Sequence, residues 1–266
     1  MEIDLKNRVA LVTGSSKGLG LKIATALGTS GAKVTICARN EEYLLKAQKE
    51  MEALGITCSF LVTDLTRPES AKETILHVIQ NWGGLDILVN NVGGIKKTGR
   101  YEELSDEDWY DCFSLNTMTT VSLSREAIPY LKESRYPRII NISSVVATQP
   151  GDYNPHYSAC KLAIVNLTKH LSNSLAKEGI LVNCVSPGII HTEGWDHYVK
   201  NKSDQENRPI QDVAYAEENR VVNGVPLHRL GCSKEVVPLV VFLASDAASF
   251  MTGENIRVDG GKVKAV

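Results

Sequence analysis

VALVTGSSKGLG, residues 9–20, sets four apolar residues and a threonine directly before a turn that carries two serines and three glycines, Gly14, Gly18 and Gly20. An apolar strand running into a glycine-rich turn that opens a helix brings free backbone N–H groups and the positive end of a helix dipole to one point, which suits an anion. The spacing excludes a nucleoside triphosphatase loop, which needs a lysine and a hydroxyl after its last glycine; Leu21 and Lys22 stand there. It also departs from GxGxxG. A glycine turn that holds nothing is the alternative, and the turn alone does not choose.

Outward from this turn, short apolar runs alternate with longer helical patterns. Runs at 33–38, 59–62, 86–90, 138–142, 181–185 and 255–258 read as further strands, and stretches at about 19–30, 41–54, 68–82, 106–132 and 157–178 read as helices. Nearly continuous apolar strands separated by helices imply the α/β class: a doubly wound parallel sheet (Rossmann fold) of about seven strands with helices on both faces. Ligands in that class bind at the carboxyl ends of the strands. No linker, repeat or low-complexity tract divides the chain, so residues 1–266 are expected to form one domain. The polar stretch 189–229 is expected to be a long irregular lid, with His191, Trp195, His197 and Tyr198 as residues that touch a substrate.

Composition narrows the function classes. The 266 residues are 43% hydrophobic and 23% charged with a formal net charge of -2, which gives no basic field for nucleic acid or anionic membrane. The six cysteines are scattered, with no CxxC pair and no histidine at zinc-ligand spacing, so no metal is expected and a reducing compartment is. MEIDLKNR lacks the apolar core of a signal peptide and no apolar run reaches bilayer length, so a cytoplasmic protein acting on small molecules is expected.

The first half reads as a nucleotide site. The second strand ends at Ala38 and Arg39, where a site for an unphosphorylated adenine ribose usually offers a carboxylate. Arg39 presents a planar fork suited to phosphate, and Lys17 in the glycine turn can add a second positive charge. The alternative is that both are simply solvated. Glu41 and Glu42 come later, in the first turn of a helix. The cofactor read from this is NADP(H). Asp64 either accepts a bond from an adenine amino group or caps a turn, and LVNNVGG, residues 88–94, ends a strand in two amides and two glycines that allow close approach of a ligand.

The second half carries the chemistry. Tyr157 and Lys161 are four apart on a helix and share a face, and Ser144 lies 13 residues before Tyr157 at a strand end. A tyrosine beside an ammonium can exchange a proton with a carbonyl oxygen, and a serine hydroxyl can orient that oxygen. TGSSKGLG, LVNNVGG, SLNT around Asn116, Ser144, YSACK and SPGIIHT stand in the order and spacing of the short-chain dehydrogenase/reductase family, compact type, which the chain resembles over nearly its whole length. The resemblance implies Tyr157 as general acid/base, Ser144 as orienting hydroxyl, Lys161 on the nicotinamide ribose lowering the tyrosine pKa, and Asn116 holding a relay water. It implies cofactor contacts from Gly14, Ser16, Lys17, Gly18, Leu19 and Gly20 at the pyrophosphate and from Asn91, Val92 and Gly93 on the adenosine side. Pro187, Gly188 and Thr192 would lie along the nicotinamide. Ser143 competes with Ser144 for the serine role, and the spacing favours Ser144. The activity implied is NADP(H)-dependent oxidation or reduction of a secondary alcohol or carbonyl by a homo-oligomer, a tetramer in many relatives. A 3-oxoacyl-carrier-protein reductase and a sugar or polyol dehydrogenase fit equally, Arg135 being a basic residue that could meet an acidic carrier. From another class, a non-catalytic NADP(H) sensor would have no need of the serine, tyrosine and lysine together.

Overall fold

The computed structural model describes residues 3–265, except for the side chains of Glu193 and His197. In chain order the first half runs β1 (Val9–Thr13), α1 (Gly18–Thr29), β2 (Lys33–Ala38), α2 (Glu41–Ala53), β3 (Cys58–Val62), α3 (Ser70–Trp82), β4 (Ile87–Asn90), α4 (Asp106–Phe113) and α5 (Thr119–Leu131). The second half adds β5 (Arg138–Ile142), α6 (Pro155–Leu175), β6 (Leu181–Pro187), β7 (Ile190–His191), α7 (Glu193–Glu206), α8 (Ile210–Val222), β8 (Gly231–Cys232), α9 (Ser233–Leu243) and β9 (Asn255–Val258). Seven parallel strands form one sheet in the order β3-β2-β1-β4-β5-β6-β9, while β7 and β8 pair separately.

The sheet is the Rossmann-type arrangement that the alternating apolar runs imply. Every residue of β1, β4 and β5 is buried, because helices cover both faces. Alternation along β1 sends Ala10 and Val12 into one core with Ile23, Leu44 and Val240 of α1, α2 and α9. Val9 and Leu11 point into the other, with Ile75, Leu123 and Leu175 of α3, α5 and α6. Each valine, leucine and isoleucine among them contributes about 1.5–3 kcal/mol by leaving water. The order reverses between β1 and β4, and the crevice above that point is where this class binds ligands.

At the opposite, amino-terminal ends of the strands, two buried guanidiniums close the floor. Arg8 donates to the Ala244 carbonyl and to Asp246, both at 2.8 Å, and lies 4.1 Å from the centre of the Tyr136 ring. Arg138 donates to the carbonyls of Pro137 and Ser245 at 3.0 and 3.3 Å. Arg135 sits beside Tyr136 just before β5, so it belongs to this floor and not to the cleft.

Three local features differ from the sequence reading. The helix expected over 106–132 is broken by a single wide turn at Ser114–Met118 that centres on Asn116, and no glycine or proline marks the break. The helix expected from Tyr157 begins two residues earlier, at Pro155, after Asn154 in the left-handed conformation. The 189–229 stretch is largely helical, as α7 and α8. Its helices bury Val199, Val213, Val221 and Val222 and are also joined through charge: the 5% exposed Glu217 accepts from Tyr198 at 2.8 Å, Lys202 at 2.5 Å and Arg220 at 2.8 Å. Among the described residues no helix is long and apolar enough to cross a membrane.

Candidate active site

The turn between β1 and α1 is shaped by its glycines. Gly14 and Gly18 each have φ +61°, and a Cβ on Gly20 would lie 2.3 Å from the Gly14 carbonyl, so the helix can approach the turn this closely only without a side chain there. Lys17 at the N-cap makes no side-chain bond to the first turn of α1, whose amides face the groove for a ligand. Ser15 turns inward to bond the Val12 carbonyl and the Cys37 amide, whereas Ser16 and Lys17 line the groove. The Thr13 hydroxyl accepts from the amides of Asn91 and Val92 at 3.0 and 3.1 Å, and the Asn91 side chain donates to the carbonyls of Thr13 and Gly14. Thr13 and Asn91 therefore lock the ends of β1 and β4 together.

From this turn a groove of about 480 Å³ runs over the end of β2 past Arg39 and Asp64. Asp64 receives the hydroxyl of Thr66 at 2.7 Å and its amide at 3.0 Å. These bonds, with Arg39 nearby, hold its carboxyl below the ordinary range. The capping of a turn is thus part of what Asp64 does. Glu41 and Glu42 occupy the first turn of α2, and Asn40 caps it by accepting from the Tyr43 amide. Lys17 lies 5.2 Å over the Tyr43 ring, which keeps its ammonium on the Arg39 side of the groove. Thr63 went unnoticed in the sequence; its hydroxyl is buried in this groove without a protein partner.

A second groove of about 350 Å³ continues from Gly14, Lys17, Gly18, Leu19 and Gly20 to Ser144, Tyr157 and Lys161. It also meets Gly93, Pro187, Gly188 and Thr192, so the structure gathers almost all of the expected residues along two joined grooves. Asn116 stands behind them, fully buried. Its side-chain oxygen accepts from the Gly94 amide at 3.0 Å, and its nitrogen donates at 2.9 Å to the carbonyls of Gly94 and Cys112. The geometry separates the two serines: Ser143 is 4% exposed and donates to the Lys161 carbonyl at 2.8 Å, while Ser144 is half-buried on the groove.

Lys161 is 3% exposed, donates to the Ile142 carbonyl at 3.0 Å and lies 5.5 Å from the centre of the Tyr157 ring. Burial pulls its pKa down to about 8. Burial also pushes Tyr157 above the ordinary phenol value, contrary to the expectation that the lysine lowers it. Loss of water is the largest cause for both groups. Of the four substrate candidates in 189–229, His191 pairs with Asp196 at 3.1 Å, and Tyr198 bonds Glu217 while its ring meets that of Trp195. The side chain of His197 lies outside the described residues. Ile190, Thr192 and Gly194 line the groove in their place.

A family model for short chain dehydrogenases matches residues 8–203. This chain belongs to the short-chain dehydrogenase family. It is 33% identical over 259 residues to the 3-oxoacyl-[acyl-carrier-protein] reductase FabG of Vibrio cholerae, covering 97% of this chain and 98% of the relative. Among solved structures, the L-sorbose reductase of Gluconobacter frateurii complexed with NADPH and L-sorbose superposes with a TM-score of 0.93 at 30% identity, over 100% of both chains. An actinorhodin polyketide ketoreductase with NADPH gives 0.89 at 31% identity, over 97% of this chain and 98% of that one. The short-chain dehydrogenase fold is thus shared with oxidoreductases whose substrates differ.

Proposed function

We propose that this protein is an NADP(H)-dependent oxidoreductase that interconverts a carbonyl and a secondary alcohol, with Tyr157 as the group that gives or takes the proton. The observation that carries this reading is the single line of grooves from Arg39, past the glycine turn, to Ser144, Tyr157 and Lys161. NADP(H) fits that line: the first-turn amides of α1 for the pyrophosphate, an orphan Thr63 hydroxyl beside the adenosine groove, and two cations where a 2′-phosphate would lie. The bound nicotinamide supplies or accepts hydride at the carbonyl carbon. Ser144 orients the carbonyl oxygen. Tyr157, held protonated by its surroundings, donates to that oxygen during reduction, and the Lys161 ammonium beside it stabilises the phenolate that remains. Asn116 fixes Gly94, and with it the wall that faces Lys161.

The substrate side is drawn from the same chain. α7 and α8, joined through Glu217, serve as the lid over the reacting end, and residues 1–266 act as one catalytic domain. Exposed Tyr110, Phe113, Met118 and Leu162 on α4, the wide turn and α6 form the surface through which copies assemble. The test is NADPH oxidation against a panel holding a 3-oxoacyl thioester, a ketose and simple ketones. Tyr157→Phe is expected to lose about 10²–10⁴ in kcat. An unchanged rate in that variant removes Tyr157 as the proton donor, and NADPH binding with no turnover of any carbonyl or alcohol removes the proposal in favour of a sensor.

A further inference from the structure

The stretch from Gly94 to Gly99, between β4 and α4, forms a strap whose two ends are fixed by different helices. At its root, Gly94 has both backbone groups bonded to Asn116. In its middle, Lys96 pairs with Asp111 at 2.7 Å and Lys97 with Asp108 at 3.1 Å, both on α4. Its far end is held by α6. The Asn154 side chain accepts from the Gly99 amide at 3.0 Å, and the Asn154 amide donates to the Gly99 carbonyl at 2.8 Å. His156 Nε2 bonds the Lys97 carbonyl at 3.2 Å.

Among the described residues the His156 ring makes no other hydrogen bond. It is 1% exposed, packs edge-on against Trp109 with ring centroids 6.0 Å apart, and its Nδ1 is buried without a partner. A carbonyl at Nε2 requires a hydrogen there, so the ring donates from Nε2 to the strap. Packing against Trp109 alone would favour an apolar side chain, since an unpaired buried nitrogen is costly. Its sequence neighbour is Tyr157, and the strap also supplies Ile95 and Lys96 to the cofactor groove.

We infer that His156 is a positioning residue: through the Lys97 carbonyl it sets where the strap stands relative to Tyr157, and so the width of the nucleotide groove that Ile95 and Lys96 line. The kinetic part of this inference rests on the proposed carbonyl chemistry; the latch itself does not. Two amides discriminate. Glutamine carries its NH2 near the place of Nε2, whereas asparagine carries it near the place of Nδ1 and cannot reach Lys97.

The experiment compares wild type, His156→Gln and His156→Asn by amide hydrogen exchange and by steady-state kinetics with NADPH and the best ketone of the panel. His156→Asn is expected to raise exchange at residues 97–99 and KM for NADPH by about tenfold each, the worth of one hydrogen bond, with kcat and KM for the ketone within about threefold. His156→Gln is expected to restore both to within about twofold of wild type. Unchanged exchange in His156→Asn overturns the latch. Equal damage in both variants, or a change in kcat without KM, overturns the positioning role. If the wild-type protein turns over no carbonyl, the proposed function fails while the exchange comparison still decides the latch.

Discussion

Gly93→Ala isolates the contact between the nucleotide half of the cleft and its catalytic half. A Cβ at Gly93 would stand 2.8 Å from the Asn116 side-chain oxygen and 2.9 Å from Lys161 Nζ. Both are about 0.5 Å inside an ordinary contact of about 3.4 Å. Neither neighbour is a loose end. Asn116 is bonded to Gly94 and Cys112, and Lys161 to the Ile142 carbonyl, and both are buried. Overpacking of this kind costs about 1–3 kcal/mol, and at this chain length each kcal/mol lowers Tm by about 2–4 °C. A half-ångström displacement of Lys161 should cost about tenfold in kcat/KM, given that about 1 Å costs on the order of a hundredfold. Gly94→Ala is the control, because its Cβ would meet only Leu115 Cδ2, at 3.9 Å. That variant should stay within about 0.5 kcal/mol of wild type. Thermal melts and NADPH titrations of the two alanine variants, followed by kinetics, read the difference. Equal behaviour of the two would refute the claim that Gly93 is small because Asn116 and Lys161 close on it.

Arg39→Asp should shift cofactor preference from NADPH toward NADH by about 10- to 100-fold in the ratio of kcat/KM values, as expected for one charge-assisted phosphate bond; a wild-type protein that already prefers NADH contradicts the reading of the β2 end. Lys161 has a folded pKa of about 8 against 10.5 for the free side chain, so charging it opposes folding fully below pH 8, by on the order of 3 kcal/mol. That penalty fades as pH rises through the window. Cofactor-free wild type should therefore gain stability from pH 8 to 10 and Lys161→Met should not, as chemical denaturation at each pH will reveal. Burial works to raise the Glu217 pKa, but bonds from Lys202, Arg220 and Tyr198 override it and hold the carboxylate at about 2. Its stabilisation is present above pH 4.5 and is lost as pH falls toward 2. Glu217→Gln should release about 1–2 kcal/mol locally and speed proteolysis within residues 193–222 about tenfold at neutral pH, with the sheet unaffected.

The parts of the fold that were legible in the sequence are those that bury apolar side chains. β1, β4 and β5 are covered on both faces, so their apolar runs stand out, and the glycine turn follows directly from β1. The cluster of Ser144, Tyr157 and Lys161 was legible for a different reason, since Tyr157 and Lys161 share one helix and Ser144 stands at one strand end. What escaped notice is held in part by polar groups. The few apolar residues that α7 and α8 bury, Val199, Val213, Val221 and Val222, stand among charged ones, with Glu217 joining the two helices, and the wide turn at Asn116 needs no glycine or proline. The early start of α6 did leave a signal: Asn154-Pro155 is a turn and helix-start pair, and it sits opposite the strap. Burial strengths are equally hidden from sequence, which is why the ionisation of Tyr157 runs opposite to the simple expectation.

Arg8 and Arg138 at the floor have a consequence for how such a molecule can change over evolutionary time. Their bonds reach only the carbonyls of Pro137, Ala244 and Ser245 and the carboxylate of Asp246, and every cofactor and substrate group proposed above lies at the other end of the strands. The floor and the grooves thus share none of these residues. Substitutions in the strap or in α7 and α8 can therefore retune which molecule enters without weakening the clasp that keeps β1 and β5 in place. One scaffold can in this way diverge toward acyl thioesters in one lineage and toward sugars in another.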